Sequence, residues 1–207
     1  VLKALSGDFV PDAVNVSGGK VSEEVALWLN LATNLGRVAG ELLHGAPSTV
    51  TVTARGELST ESVDALGLAG LRGVFSGVID EQVTFVNAPQ IAEERGVELD
   101  VQTHDESVSH RSILEVQVVG ADGSSATVAG ALTGLEHVEK IVRINHRGLD
   151  LRATGTNLFL VYPDQPGALG KVGTLLGSKG INIDAAALSP TDDEAAATLV
   201  PVSYTHL

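Results

Sequence analysis

The sequence contains no cysteine and no methionine among its 207 residues, a single tryptophan, and only 3% aromatic residues. Without cysteine, disulfides and thiolate metal sites are excluded. With so few aromatics, a core must be built from Val, Leu, Ile and Ala, and the 43% hydrophobic content is enough for one. Cations are scarce as well: 13 Lys and Arg stand against 26 Asp and Glu, a formal net charge of −13. That balance argues against nucleic acid or an anionic membrane as a partner. No secretory leader and no apolar run of membrane-spanning length is visible, so the reading is a soluble, cytoplasmic protein. The lack of Met, with the abrupt opening VLKALSG, reads as a piece of a longer chain.

Catalytic signatures are missing too. There is no G-x-G-x-x-G following a strand. Gly167-Ala168-Leu169-Gly170-Lys171 superficially suggests a phosphate-binding loop, but the first Gly is not at the required spacing and Val172 stands where Ser or Thr is needed. His104 and His110 bracket two carboxylates in THDESVSH, yet their spacing matches no standard metal site, and a solvated loop is the better reading. No metal site and no catalytic constellation is therefore assigned.

What is present is a regular alternation of elements. Ser22 to His44 reads as the longest helix, capped by Ser22, with Glu23 and Glu24 at its positive end and Trp28 on its apolar face. Thr49 to Arg55 alternates as a strand. Ser59 to Phe75 reads as helical, with Gly67, Gly70 and Gly73 either weakening it or permitting close packing. Val83 to Val86 reads as a short strand, Ala88 to Arg95 as a short helix, and Leu99 to Gln102 as a strand. Ile113 to Val119 and Ala126 to Leu132 form a hairpin about Ala121-Asp122-Gly123.

Asn157 to Leu188 reads as strand, tight loop, helix, strand. Leu158, Leu160 and Tyr162 alternate with Phe159 and Val161. Asp164-Gln165-Pro166-Gly167 breaks the pattern, and Ala168, Leu169, Val172, Leu175 and Leu176 recur at helical spacing. The free N–H groups of such a helix start favour a carboxylate, and Asp164 just before it can accept an ammonium. A zwitterionic amino acid uses both, and Asn182 adds an acceptor and two donors. An ordinary βαβ unit with a Pro-Gly turn and no ligand fits the same residues.

The pattern D-x-P-G-A-L followed by G-x-N-I resembles the ACT domain, a βαββαβ module that binds amino acids. The opening AL-S-G-D-FVPDAVNV and residues 21–155 resemble long-form D-3-phosphoglycerate dehydrogenases, in which an intervening, allosteric substrate-binding domain precedes the ACT domain. The expected fold class is α+β: a mixed α/β intervening domain, then an incomplete ferredoxin-like ACT domain. The implied boundaries are 1–20 for the end of the catalytic part and linker, 21–155, and 156–200. Residues 201–207, PVSYTHL, break the strand chemistry with Pro201 and read as a foreign tail. The missing second ACT helix and fourth strand imply reduced stability. In the family serine sits between two ACT modules, which implies effector contacts at Tyr162, Asp164 and Asn182. It also implies a parent oxidoreductase using NAD in serine biosynthesis, inhibited by L-serine, assembled as a homo-oligomer such as a tetramer. This piece lacks the dinucleotide domain and the catalytic residues.

The last feature is basic. Lys140, Arg143, Arg147 and Arg152 are four of the chain's 13 Lys and Arg, gathered in a second hairpin. With Arg147-Gly148 as the turn, Arg143 is expected opposite Arg152, and opposed like charges destabilise a sheet. A bound anion relieves that, since Arg binds phosphate with a bidentate fork. A solvated edge strand accounts for the charges equally. The family resemblance implies phosphate or phosphorylated-substrate binding at Lys140, Arg147 and Arg152. Gly148 stands where a family member has histidine, with His146 as a substitute. Two other classes stay open: the regulatory region of an iron–sulfur L-serine dehydratase, and a stand-alone amino-acid-binding module.

Overall fold

The computed structural model describes residues 21–79, 81–163, 165–189 and 195–204. The opening segment read as dehydrogenase-like, and Asp164, lie outside the described residues.

The chain begins with α1 (Glu23–Leu42), where Ser22 Oγ accepts from Val25 N at 3.2 Å, the N-cap the sequence predicts. Its apolar stripe buries Val25, Trp28, Leu31, Ala32, Leu35 and Ala39. Strand β1 (Pro47–Gly56) follows, then a single 3-10 turn over Glu57–Thr60 and helix α2 (Asp64–Ser76). The helix expected from Ser59 thus starts five residues late, the first turn being 3-10. No strand forms at Val83 to Val86. Asn87 instead turns the backbone, accepting from Thr84 N at 2.6 Å, and Phe85 is buried under the Arg72 guanidinium. Helix α3 (Ala88–Arg95) has the predicted bounds and closes on Gly96 at φ 66, a left-handed cap that glycine adopts without strain.

Strands β2 (Glu98–His104), β3 (Ser112–Gly120), β4 (Ser125–Thr133), β5 (Val138–Ile144) and β6 (Arg147–Arg152) complete the first unit. The six-stranded sheet has the order β2-β1-β3-β4-β5-β6, with β1 and β2 parallel and the other pairs antiparallel. The β3–β4 hairpin about Asp122-Gly123 is as predicted; Asp122 Oδ1 accepts from Ser124 Oγ and N, which holds its carboxyl below the usual range. Helices α1 and α2 cross on one face of the sheet. A Cβ on Gly36 would collide with the Gly70 carbonyl, and one on Gly73 with the Thr33 carbonyl. A Cβ on Gly40 would lie 2.8 Å from the Val74 carbonyl oxygen. The glycines of α2 therefore serve close packing rather than breaking the helix.

The second unit comprises β7 (Thr156–Pro163), α4 (Ala168–Ser178), β8 (Ile181–Ile183), β9 (Ala187–Ser189) and β10 (Ala195–Tyr204). Its sheet runs β7-β10-β8, with β9 also on β10. The last strand of the stretch ending at Leu188 is broken at Asp184–Ala186, and the strand chemistry expected to break at Pro201 continues through it to Tyr204. Pro201 stays in the ladder to β7, opposite Asn157, and falls in the gap on the other side, where the ladder to β9 ends at Leu199 and that to β8 begins at Val202; a missing N–H on that side costs no ladder bond. Leu176 is the one buried side chain of this unit's apolar cluster among the described residues, while Leu175 and Leu188 stay exposed. Phe159 and Ala187 pack against the core of the first unit.

Because backbone oxygen atoms cannot yield as a flexible side chain can, Gly36→Ala should destabilise the chain by about 1–3 kcal/mol. Gly148→Ala, with open space around it, should stay within about 0.5 kcal/mol. Urea unfolding of the two variants checks the contrast; equal midpoints would contradict the packing argument.

Candidate functional site

The residues predicted to contact an amino acid fall at two ends of one sheet. Tyr162, half-buried near the end of β7, faces Ala196 of β10, whereas Asn182 of β8 faces Ser203. Those two partners lie seven residue steps apart along β10, about 23 Å at roughly 3.3 Å per residue. Strands β7 and β8 both run antiparallel to β10, so the end of one lies far from the beginning of the other. One copy of the chain therefore does not bring Tyr162 and Asn182 together.

At the Tyr162 end, Gly167 takes a φ of 86 before the first turn of α4, a left-handed conformation suited to glycine. A side chain there would meet nothing within 4 Å, so the approach to the helix start is open. At the other end Asn182 Nδ2 donates to Asp184 Oδ1 at 2.9 Å.

The basic hairpin is arranged differently from the prediction. The turn is Asn145-His146, with Asn145 at φ 52, so Arg143 faces Gly148 rather than Arg152. Arg143 instead pairs with Glu115 on β3. Ile144 faces Arg147, and from there the register shifts by one between Arg143 and Ile141. An unshifted ladder would set Lys140 against Leu151. The extra residue on β6 sets it against Arg152. Two cations are thus opposed after all, with Lys140 in place of Arg143 opposite Arg152. Arg147 sits at the turn end of the hairpin, about 13 Å along β5 from the Lys140 position at roughly 3.3 Å per residue. Its Nε is buried with no hydrogen-bond partner among the described residues.

Lys140 and Arg152 line a cleft of about 750 Å³ between the units, with Asp150, Thr154, Thr156 and Asp184 also on its wall. Lys140 Nζ contacts Asp150 Oδ1 at 2.7 Å. Asp150 precedes Arg152 by two residues on the alternating strand, so the two share a face. That signal was available in the sequence; the approach of Asp184 from the second unit was not. A second cavity of about 760 Å³ near Trp28 is lined by Glu24, Glu57 and Glu61, with Arg111 bound to Glu57 at 2.6 Å. Its acidic wall suits no anion. Among the described residues no group of three His, Asp or Glu is placed to hold a metal.

The sequence reading also missed a polar clamp behind the cleft. Asn30 Nδ2 donates to both oxygens of Glu139 at 2.8 and 2.9 Å. Asn34 Nδ2 donates to Glu139 Oε2 at 3.3 Å and to the Ala153 carbonyl at 3.1 Å, while Ala153 N donates to the Glu139 carbonyl at 3.0 Å. Helix α1 thereby grips the residues next to Lys140 and Arg152.

A family model described as the D-3-phosphoglycerate dehydrogenase intervening domain matches residues 24–145, and an ACT domain model matches residues 156–205. The chain is 53% identical over 197 residues to a D-3-phosphoglycerate dehydrogenase of Mycobacterium leprae, covering 95% of this chain and 37% of that protein. A D-3-phosphoglycerate dehydrogenase of Mycobacterium tuberculosis is 54% identical over the same length. One from Archaeoglobus fulgidus is 33% identical over 177 residues, 84% of this chain and 33% of that protein. The chain thus spans about a third of the length of these relatives. No helix among the described residues is long and apolar enough to cross a membrane.

The clamp generates a stability prediction. Asn34→Ala removes donors to a carboxylate and a carbonyl in a part-buried setting, and should lower unfolding free energy by about 1–2 kcal/mol. Denaturant titration checks this; an unchanged midpoint would mean that the clamp is not formed in solution.

Proposed function

The chain belongs to the D-3-phosphoglycerate dehydrogenase intervening-domain family, with an ACT domain following, and on that premise we propose that it is a regulatory portion of such an enzyme. The parent oxidises D-3-phosphoglycerate with NAD at the start of L-serine biosynthesis, in the cytoplasm and as a homo-oligomer. The portion at hand senses L-serine and has no dehydrogenase turnover of its own, since no dinucleotide fingerprint occurs in the sequence.

The separation of Tyr162 from Asn182 across one sheet is the observation that carries the effector reading. A serine zwitterion spans only a few ångströms, so it cannot bridge those residues within one copy. Two ACT units set edge to edge through β8, with opposed strand directions, would bring the Tyr162 end of one beside the Asn182 end of the other. In that arrangement Asp164 accepts from the serine ammonium. The start of α4 receives the carboxylate, and Asn182 of the second copy closes the site. Serine then favours the paired arrangement over others, and inhibition of the parent follows by linkage. The Lys140–Arg152 pair takes phosphate or a phosphorylated acid, which relieves the repulsion of two opposed cations. Arg147 supports the hairpin turn in this reading.

Calorimetric titration with L-serine tests the two-copy site. Asp164→Ala removes a charge-assisted hydrogen bond and should weaken binding roughly 10- to 150-fold. Asn182→Ala should weaken it too. A mixture of the two variants should regain one intact site per mixed pair. Two folded variants that recover nothing on mixing would contradict the shared site.

A further inference from the structure

We propose that Asp150 is a built-in counter-ion which an incoming anion must displace from Lys140, so that the cleft selects compact phosphoryl dianions over simple carboxylates. This rests on the reading that Lys140 and Arg152 form an anion site. The register shift in the β5–β6 ladder places those two cations opposite each other, an arrangement that repels in an empty cleft. Asp150 offsets it by bonding to Lys140 Nζ at 2.7 Å.

The two partners are unequally held. The Lys140 side chain is 28% exposed and that of Asp150 is 71% exposed. The Lys140 side chain lies along the cleft wall, and its backbone is anchored through the neighbouring Glu139, which Asn30 and Asn34 hold on the opposite face. Asp150 can rotate into water and remain fully solvated. Displacement therefore moves Asp150, not Lys140. A monoanionic carboxylate arriving at Lys140 only replaces one negative charge by another. A phosphoryl dianion replaces that charge and has a second for Arg152, whose planar fork matches phosphate oxygens. The ligand class that gains from the exchange is a phosphate ester or inorganic phosphate. Thr154 and Thr156 on the same wall supply hydroxyl donors to the remaining oxygens.

The test is calorimetric titration of the chain with inorganic phosphate and with acetate at low, constant ionic strength, because exposed charges are screened by salt. Asp150→Asn should tighten phosphate binding by about three- to fivefold, the scale of a lost surface ion pair, and should tighten acetate binding by a similar factor, because both anions are spared the same displacement. Glu98→Gln, at the opposite edge of the sheet, removes the same unit of charge and should change neither. Unchanged or weaker phosphate binding in Asp150→Asn, or an equal gain in Glu98→Gln, would overturn the counter-ion role. Arg152→Ala separates this from the underlying site: loss of phosphate binding there upholds the anion site whatever Asp150 does. Phosphate binding indifferent to Arg152, or absent from both the parent chain and Asp150→Asn, would overturn the site and the counter-ion together.

Discussion

The backbone-to-backbone crossing of α1 and α2 is the constraint on which the rest of the first unit depends. Gly36, Gly40 and Gly73 let carbonyl oxygens of one helix sit where a side chain of the other would be. That closeness lets both helices reach a single sheet face and bury it mainly with Val, Leu, Ile and Ala, as a chain with 3% aromatic residues must, with Trp28, Phe75 and Phe85 as the few large aromatics in the core. Tight packing then fixes α1 over β3 and β4, with β5 within reach. From there Asn30 and Asn34 reach Glu139 and the Ala153 carbonyl. The same helix that closes the core therefore orients the strand ends that carry Lys140 and Arg152, and the connection that leads into β7.

The second unit is built on a thinner base. Its described apolar cluster centres on Leu176, and it leans on the first unit through Phe159 and Ala187. The cleft with the two cations lies at this junction. Anything that binds there touches β5, β6 and the Asp184–Ala186 break between β8 and β9. Asn182 donates to Asp184, so the break that borders the cleft also borders a proposed effector contact.

Much of this was legible because the signals are local. Ser22 caps α1, Asp122-Gly123 turns the β3–β4 hairpin, and Gly96 closes α3, each through its own backbone preference. The strand at Val83 to Val86 failed because Asn87 and Thr84 offered the backbone a turn instead. Pro201 misled because its effect depends on where partner strands stop, which is a property of the sheet. The basic hairpin misled for a related reason. An Asn at positive φ took the turn, and one extra residue on β6 then re-paired the strands. Of the predicted trio Lys140, Arg147 and Arg152, two meet and one does not. Tyr162 and Asn182 were correctly placed on strands, but their separation follows from strand order, which no local pattern encodes.

The central claim is that this portion carries two ligand sites of different chemistry on two units. Backbone amide chemical shifts of the isotope-labelled chain, titrated first with L-serine and then with inorganic phosphate, test it most directly. The account predicts that serine perturbs Tyr162, Gly167, Ala168 and Asn182 together, at protein concentrations where copies pair. Phosphate should perturb Lys140, Asp150 and Arg152 with or without serine. Serine shifts centred on the Lys140–Arg152 cleft, or phosphate shifts centred on the start of α4, would contradict it.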